Sequence, residues 1–342
     1  MNPKKPVLLI GTLLLLSLGC SFITGGFFKT TPVPSQETQP AATISENRCG
    51  DGVCDGPENP SNCPSDCSSI APPEDILPGS GLQPAEDENS YWLINPTSNA
   101  RLFVRAVYPG SWTGESLPTL VLIPGGAGTI DPEKAQRLAA NGFAVVFFDP
   151  DGRGKSGGEE NLDGYVQQDG LTAVIRAAAS LPGVDKERVG LVSYSYGITM
   201  ASGALARHPD LQVQFLIDWE GPADRYDTTL GCQPNPSIAW PDCNDDAAWA
   251  EREALAFIAQ IGVPYQRLQS EQDHVQPAVS HAIEMVNAAV RGGAPWVRLN
   301  NLPANQTYDP QNPPAVLPEK ADATLENLVA TFAQELFNLI PE

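Results

Sequence analysis

The chain has 342 residues, enough for one large domain with an export signal and a small accessory module. Hydrophobic residues make up 42% of it, so a sizeable core can form. Asp and Glu number 41 against 20 Lys and Arg, and the net charge of -21 repels nucleic acid and anionic membrane surfaces, excluding a nucleic-acid partner.

At the N-terminus Lys4 and Lys5 precede an apolar run from Val7 to Leu18, too short and wrongly flanked for an ordinary spanning helix. The run ends in Leu16, Ser17, Leu18, Gly19 and Cys20. This string resembles a bacterial lipobox, with Ser17 in place of the usual leucine. The resemblance implies acylation of Cys20, a lipid anchor in a membrane that the chain does not span, and a place at the cell surface outside the cytoplasm. A plain signal peptide or a retained signal anchor is the alternative. Apart from Cys20, six cysteines remain: Cys49, Cys54, Cys63, Cys67, Cys232 and Cys243. An even remainder in an exported chain predicts disulfides, two within 49–67 and one joining Cys232 to Cys243.

Residues 1–20 thus read as the signal and 21–48, rich in Thr, Pro, Ser and Gln, as a disordered tether. Residues 49–67 form the cysteine cluster, which resembles short Cys-rich repeats of exported microbial proteins. Its Asp51, Asp55, Glu58 and Asp66 offer hard oxygen ligands for Ca²⁺; a purely disulfide-held spacer is the alternative. Residues 68–90 read as a second linker, and a single domain as 91–342.

Within that domain short apolar runs predict strands at 91–94, 102–107, 119–123, 143–148, 189–193, 213–217, 263–268 and 296–299. Helices fall between them. Asp131-Pro132 caps and starts one that Asn141-Gly142 stops. Leu171, Val174, Ile175 and Ala178 follow helical spacing, as do Leu325, Leu328, Val329, Phe332 and Leu336. Eight strands with intervening helices predict an α/β fold with a mainly parallel sheet covered on both faces.

The strand at 189–193 runs directly into Ser193-Tyr194-Ser195-Tyr196-Gly197 and then a helix rich in small residues. Such a strand-to-helix turn can lift the Ser195 hydroxyl above the sheet, as a nucleophile elbow does. Pro124 to Gly128 ends another buried strand, and its amides at Gly126 or Ala127 can join that of Tyr196 in holding an oxyanion. Asp149 to Gly158 forms a turn after the next strand. In order and spacing these three strings resemble the α/β-hydrolase family, of the dienelactone hydrolase and prolyl oligopeptidase-like kind, over residues 91–342. The resemblance implies an α/β-hydrolase fold, no cofactor, and a small-molecule or peptide substrate.

It also implies an acid after the strand at 263–268, which maps to Asp273; Asp218, at the end of the strand at 213–217, is a second candidate. The family's histidine follows the last strand, where this chain has none. Of His208, His274 and His281, the first reads as a surface residue, His274 as the best base, and His281 as a solvent-facing alternative opposite the apolar stripe of its helix. Residues 222–261 read as a lid-like insertion whose Trp240 and Trp249 either line a pocket or pack the lid onto the sheet. The expected activity is cleavage of an ester, amide or peptide bond through Ser195. A non-catalytic binding protein of the same fold, or a calcium-dependent adhesin, would use the same chain differently.

Overall fold

The computed structural model describes residues 80–233, 238–276, 278–318 and 322–339. By internal contacts the chain divides into units 1–71 and 72–342, and every described residue belongs to the second. The expectations for Cys20, for the Cys49–Cys67 disulfides and for the Asp51, Asp55, Glu58 and Asp66 ligand set lie outside the described residues.

Nine strands form one sheet: β1 (Gln83–Pro84), β2 (Ser90–Ile94), β3 (Arg101–Val107), β4 (Leu117–Ile123), β5 (Ala144–Asp149), β6 (Val184–Tyr194), β7 (Phe215–Trp219), β8 (Tyr265–Leu268) and β9 (Val297–Leu299). Their order across the sheet is β1-β2-β3-β5-β4-β6-β7-β8-β9. The pairings from β5 through β9 are parallel, while β1, β2 and β3 pair antiparallel at one edge. This is the α/β-hydrolase fold. The sheet holds nine strands rather than eight because β1 lies in the stretch read as a linker. There Leu82 is fully buried, so residues 82–90 pack as part of the domain and not as tether.

Helices α1 (Pro132–Ala139), α2 (Tyr165–Ala178), α3 (Gly197–Arg207), α4 (Arg225–Thr228), α5 (Asp246–Ala250), α6 (Ala254–Ile258), α7 (Ser280–Gly292) and α8 (Asp322–Leu339) connect or flank these strands. Strand alternation sorts the core between the two faces. On β4, Val121 and Ile123 face a cluster that includes Leu171, Ala201, Ile258 and Ile283, whereas Leu120 and Leu122 face Leu138, Val329 and Phe332. Asp131 caps α1 by accepting a hydrogen bond from the Glu133 amide at 3.0 Å, and Gly142 leaves that helix in a left-handed conformation with φ +93°. Among the described residues no helix is long and apolar enough to cross a membrane.

One polar pair sits inside this apolar sheet. Asp218 of β7 and Arg267 of β8 are register partners, both fully buried, with Nη1 to Oδ2 2.5 Å apart. Tyr265 donates its hydroxyl to the same carboxylate oxygen at 2.7 Å. Burial pulls the guanidinium toward the neutral form, but the Asp218 carboxylate more than offsets this and keeps it charged. Removing one partner strands the other charge in the core. Asp218→Ala is expected to lower the unfolding free energy by about 3–5 kcal/mol in urea titration. A change below about 1 kcal/mol would show that the pair is not structurally required.

Candidate active site

The site lies at the carboxyl end of the parallel strands, where α/β sheets place ligand clefts. Ser195 follows the last residue of β6 and adopts φ +52°, a left-handed conformation uncommon for a side chain of any size. Its amide donates to the Trp219 carbonyl at 2.8 Å, which fixes the turn against β7. The turn leaves no room at its flanks. A Cβ on Gly197 would lie 2.5 Å from the Pro124 carbonyl oxygen, and one on Gly125 would lie 2.4 Å from the Tyr194 carbonyl oxygen. Ser193, where the elbow pattern has glycine, is fully buried and directs its hydroxyl at the Ile217 carbonyl, 3.4 Å away.

His274 Nε2 is 2.7 Å from Ser195 Oγ. The imidazole comes from the loop after β8 and stacks on Trp219, with ring centroids 4.7 Å apart. Its Nδ1 donates to Glu220 Oε2 at 3.0 Å, and Asp273 Oδ1 stands 3.3 Å from the same nitrogen. Glu220 makes the shorter, well-directed hydrogen bond, while Asp273 contributes mainly through its charge. Glu220 also accepts from the backbone amides of Ser270 and His274, each at 3.2 Å, and from the Ser270 hydroxyl. Asp273 is held by the amides of Val275 and Gln276 and by the Gln269 side chain, at 2.8, 2.9 and 3.0 Å.

These contacts set the charges. Burial works against both ionised groups. For Asp273 the neighbouring His274 and His281 imidazoles, together with the hydrogen bonds from Gln269 and the Gln276 amide, overcome it, holding the carboxyl far below the usual carboxylate range. For His274 burial lowers the pKa, but Asp273 and Glu220 outweigh it, so the imidazole sits above its ordinary value of 6.5. Glu220, Asp273 and His274 also bring ligand atoms within 4.8 Å of one another. Here those atoms are already committed to one another and to Ser195.

Several expectations about the site need correcting. Asp218 does not reach the histidine, because its carboxylate is taken by Arg267, Tyr265 and the Gly221 amide. Glu220, two residues on, holds that place. The sequence placed the end of β7 at Ile217, whereas the strand runs to Trp219, so the acid just past its end went unassigned. His281 is not solvent-facing. It is 1% exposed, on α7, with Nε2 3.3 Å from Asp273 Oδ2 but misaligned for a hydrogen bond. It lies behind Asp273 rather than against Ser195. His208 caps α3 and is partly exposed, 3.4 Å from Asp169. The amides of Gly126, Ala127 and Tyr196 make no hydrogen bond among the described residues.

An open cleft of about 390 Å³ contains Ser195 and His274 and is lined also by Gly125, Gly126, Tyr194 and Trp219. No described residue of 222–261 lines it. Trp249 is fully buried and Trp240 packs edge-on against Tyr196 at 4.7 Å, so these tryptophans pack the insertion onto the domain. Cys232 and Cys243 are joined across the insertion.

Residues 98–248 match the X-Pro dipeptidyl-peptidase (S15 family). That span contains Ser195 and Glu220 and stops before Asp273 and His274. No curated protein sequence matches the chain. Among solved structures it is similar to Porphyromonas gingivalis dipeptidyl peptidase 4, at 18% identity and TM-score 0.53, covering 75% of this chain and 36% of that one. It is also similar to Est1E from Butyrivibrio proteoclasticus, solved with ferulic acid, at 17% and 0.51, covering 70% and 96%. A third is acetyl xylan esterase 1 from Thermoanaerobacterium, at 15% and 0.51, covering 75% and 87%. The chain therefore spans about a third of the peptidase and most of Est1E and of the acetyl xylan esterase. By fold it is an α/β-hydrolase, and a serine on a strained elbow beside a carboxylate-bound histidine is the arrangement of an α/β-hydrolase-type enzyme.

The close approach at the elbow predicts that Gly197→Ala, which forces a methyl onto the Pro124 carbonyl, destabilises the protein by about 1–3 kcal/mol in thermal or urea unfolding. Gly142→Ala, with nothing within 4 Å of its Cβ but φ +93°, tests backbone strain without a clash. Equal losses at the two sites would remove the steric account of the elbow.

Proposed function

We propose that the chain is an extracytoplasmic serine hydrolase, anchored through Cys20, that cleaves an ester, amide or peptide bond in a small-molecule or peptide substrate. The observation that carries the reading is the 2.7 Å approach of His274 Nε2 to Ser195 Oγ. Ser195 Oγ attacks the acyl carbon while its proton passes to His274 Nε2. Nδ1–H stays on Glu220, which fixes the tautomer and, with Asp273, stabilises the imidazolium. The amides of Gly126 or Ala127 and of Tyr196 receive the developing oxyanion. His274 then protonates the leaving group as the tetrahedral carbon–leaving-group bond breaks, and water repeats the sequence in reverse to release the acid. No cofactor is needed. The described neighbours include a dipeptidyl peptidase and an acetyl xylan esterase, and acyl transfer through a serine can cleave either kind of bond. A pocket without chemistry would have no reason to hold a serine in a strained conformation against a carboxylate-bound imidazole.

A fluorophosphonate probe is expected to label the wild type, not Ser195→Ala, and to label His274→Ala slower by about 10⁴ or more. Failure of the wild type to label would overturn the reading. The base acts when neutral. Because its pKa is raised, kcat/KM is expected to fall with decreasing pH along a limb lying above 6.5. Glu220→Gln removes one of the two raising charges, so that limb should move to lower pH while kcat drops about 10²-fold or more. A limb that stays in place would assign the orienting role to Asp273 alone. For the anchor, Cys20→Ala is expected to shift the protein from the detergent phase to the aqueous phase in a partition assay.

A further inference from the structure

Lys134 stands on the wall of the same cleft as Ser195 and His274. It projects from the first turn of α1, half-buried, with Nζ 4.4 Å above the Tyr194 ring centroid and 5.8 Å from that of Trp219. The two rings belong to the residues flanking the nucleophile turn on β6 and β7, so the ammonium is carried over the floor of the site. Among the described residues there are three lysines. Lys155 is paired with Glu86 and Lys186 with Glu187, while Lys134 has no carboxylate within 4.0 Å among the described residues. In a chain with twice as many acids as bases, a lysine without a carboxylate partner inside the reactive cleft is informative.

The surroundings leave that charge available. Asp131, the acid nearest in sequence on the cleft wall, spends its Oδ1 on the Glu133 amide as the α1 cap and is exposed at the rim. Asp273 and Glu220 are held by His274 and by backbone amides. The aromatic faces support a cation without neutralising it. Thr129, Ile130 and Val275 complete the wall with little polar surface to compete. A single lysine is a compact point charge, matched in charge to a single carboxylate.

We infer that Lys134 forms an anion subsite, and that the preferred substrate carries a carboxylate close to the bond cleaved at Ser195. This deepens the hydrolase reading and rests on it. The carboxylate can belong to the acyl part, as in a dicarboxylate half-ester, or to the leaving group, as in the terminal residue of a peptide.

The test compares matched esters differing in that group. On the acyl side, p-nitrophenyl glutarate is set against p-nitrophenyl valerate. On the leaving-group side, the butyryl ester of 3-hydroxybenzoate is set against phenyl butyrate. The readout is the ratio of kcat/KM for the anionic ester over the neutral one. In at least one pair that ratio is expected to fall about tenfold in Lys134→Met, to be retained in Lys134→Arg, and to fall further in Lys134→Glu. The exposed Lys186→Met serves as control for net charge and should leave both ratios as in the wild type. Fluorophosphonate labelling of each variant reports that the serine site is intact. Ratios within twofold of wild type in Lys134→Met, for both pairs and with labelling intact, would overturn the subsite and leave the hydrolase reading standing. A wild type that hydrolyses none of the four esters and does not label would overturn both.

Discussion

The buried guanidinium of Arg267 is the constraint on which the site depends. It reaches Asp218 across the β7–β8 pair, the Gly221 carbonyl at 2.7 Å beyond the end of β7, and Gln269 Oε1 at 2.6 Å beyond the end of β8. Gln269 in turn binds Asp273. One side chain thereby ties together the two loops that carry Glu220 and His274. Its charge is tolerable in the core because each available partner is an oxygen at short range. Asn300, just past β9, completes the anchorage by pairing with both backbone groups of Gln269 at 2.9 Å.

The backbone supplies a second ordering principle. Ser195 and Glu220 each follow the end of a strand directly and hang from the strand beside it. Ser195 donates its amide to Trp219 at the end of β7, and Glu220 donates its amide to Leu268 at the end of β8, at 3.0 Å. Both adopt left-handed backbone, with φ +52° and +47°. Strain of this kind costs on the order of 1–3 kcal/mol per residue and persists only where surrounding contacts over-determine it. At Ser195 those contacts are the two glycines pressed against neighbouring carbonyls. At Glu220 they are the hydrogen bonds its carboxylate accepts from the loop after β8.

The histidine beside Ser195 occupies an unusual place along the chain. It follows β8, where the family resemblance led to an acid, and the carboxylate that binds it stands just past the end of β7. The loop after β9, where the resemblance led to a histidine, holds Asn300 instead, and that residue secures the loop of His274. Two carboxylates then share one imidazole. The second of them, Asp273, is backed by the buried His281, whose ring nitrogens make no hydrogen bond among the described residues. The insertion over 222–261 does not line the cleft through any of its described residues. It buries Trp249 and braces Tyr196 from outside.

The sequence by itself determined the α/β architecture, because apolar runs of strand length alternating with amphipathic helices admit few other packings. It also determined the elbow at Ser195, since small residues at fixed offsets between a buried strand and a helix are a local requirement of the turn. His274 as the candidate to stand against Ser195 was legible by elimination in a chain with three histidines. The place of Glu220 against His274 was decided only by the tertiary structure. Asp218, Glu220 and Asp273 are alike as residues, and what separates them is which strand neighbour each meets: Asp218 meets Arg267, so its charge is consumed in the core, while Glu220 lies two residues further and meets His274. The burial of His281 and the exposure of Lys134 to the reactive cleft were fixed in the same way. Each follows from how helices pack on the finished sheet, a relation between residues far apart in the chain that no local pattern encodes.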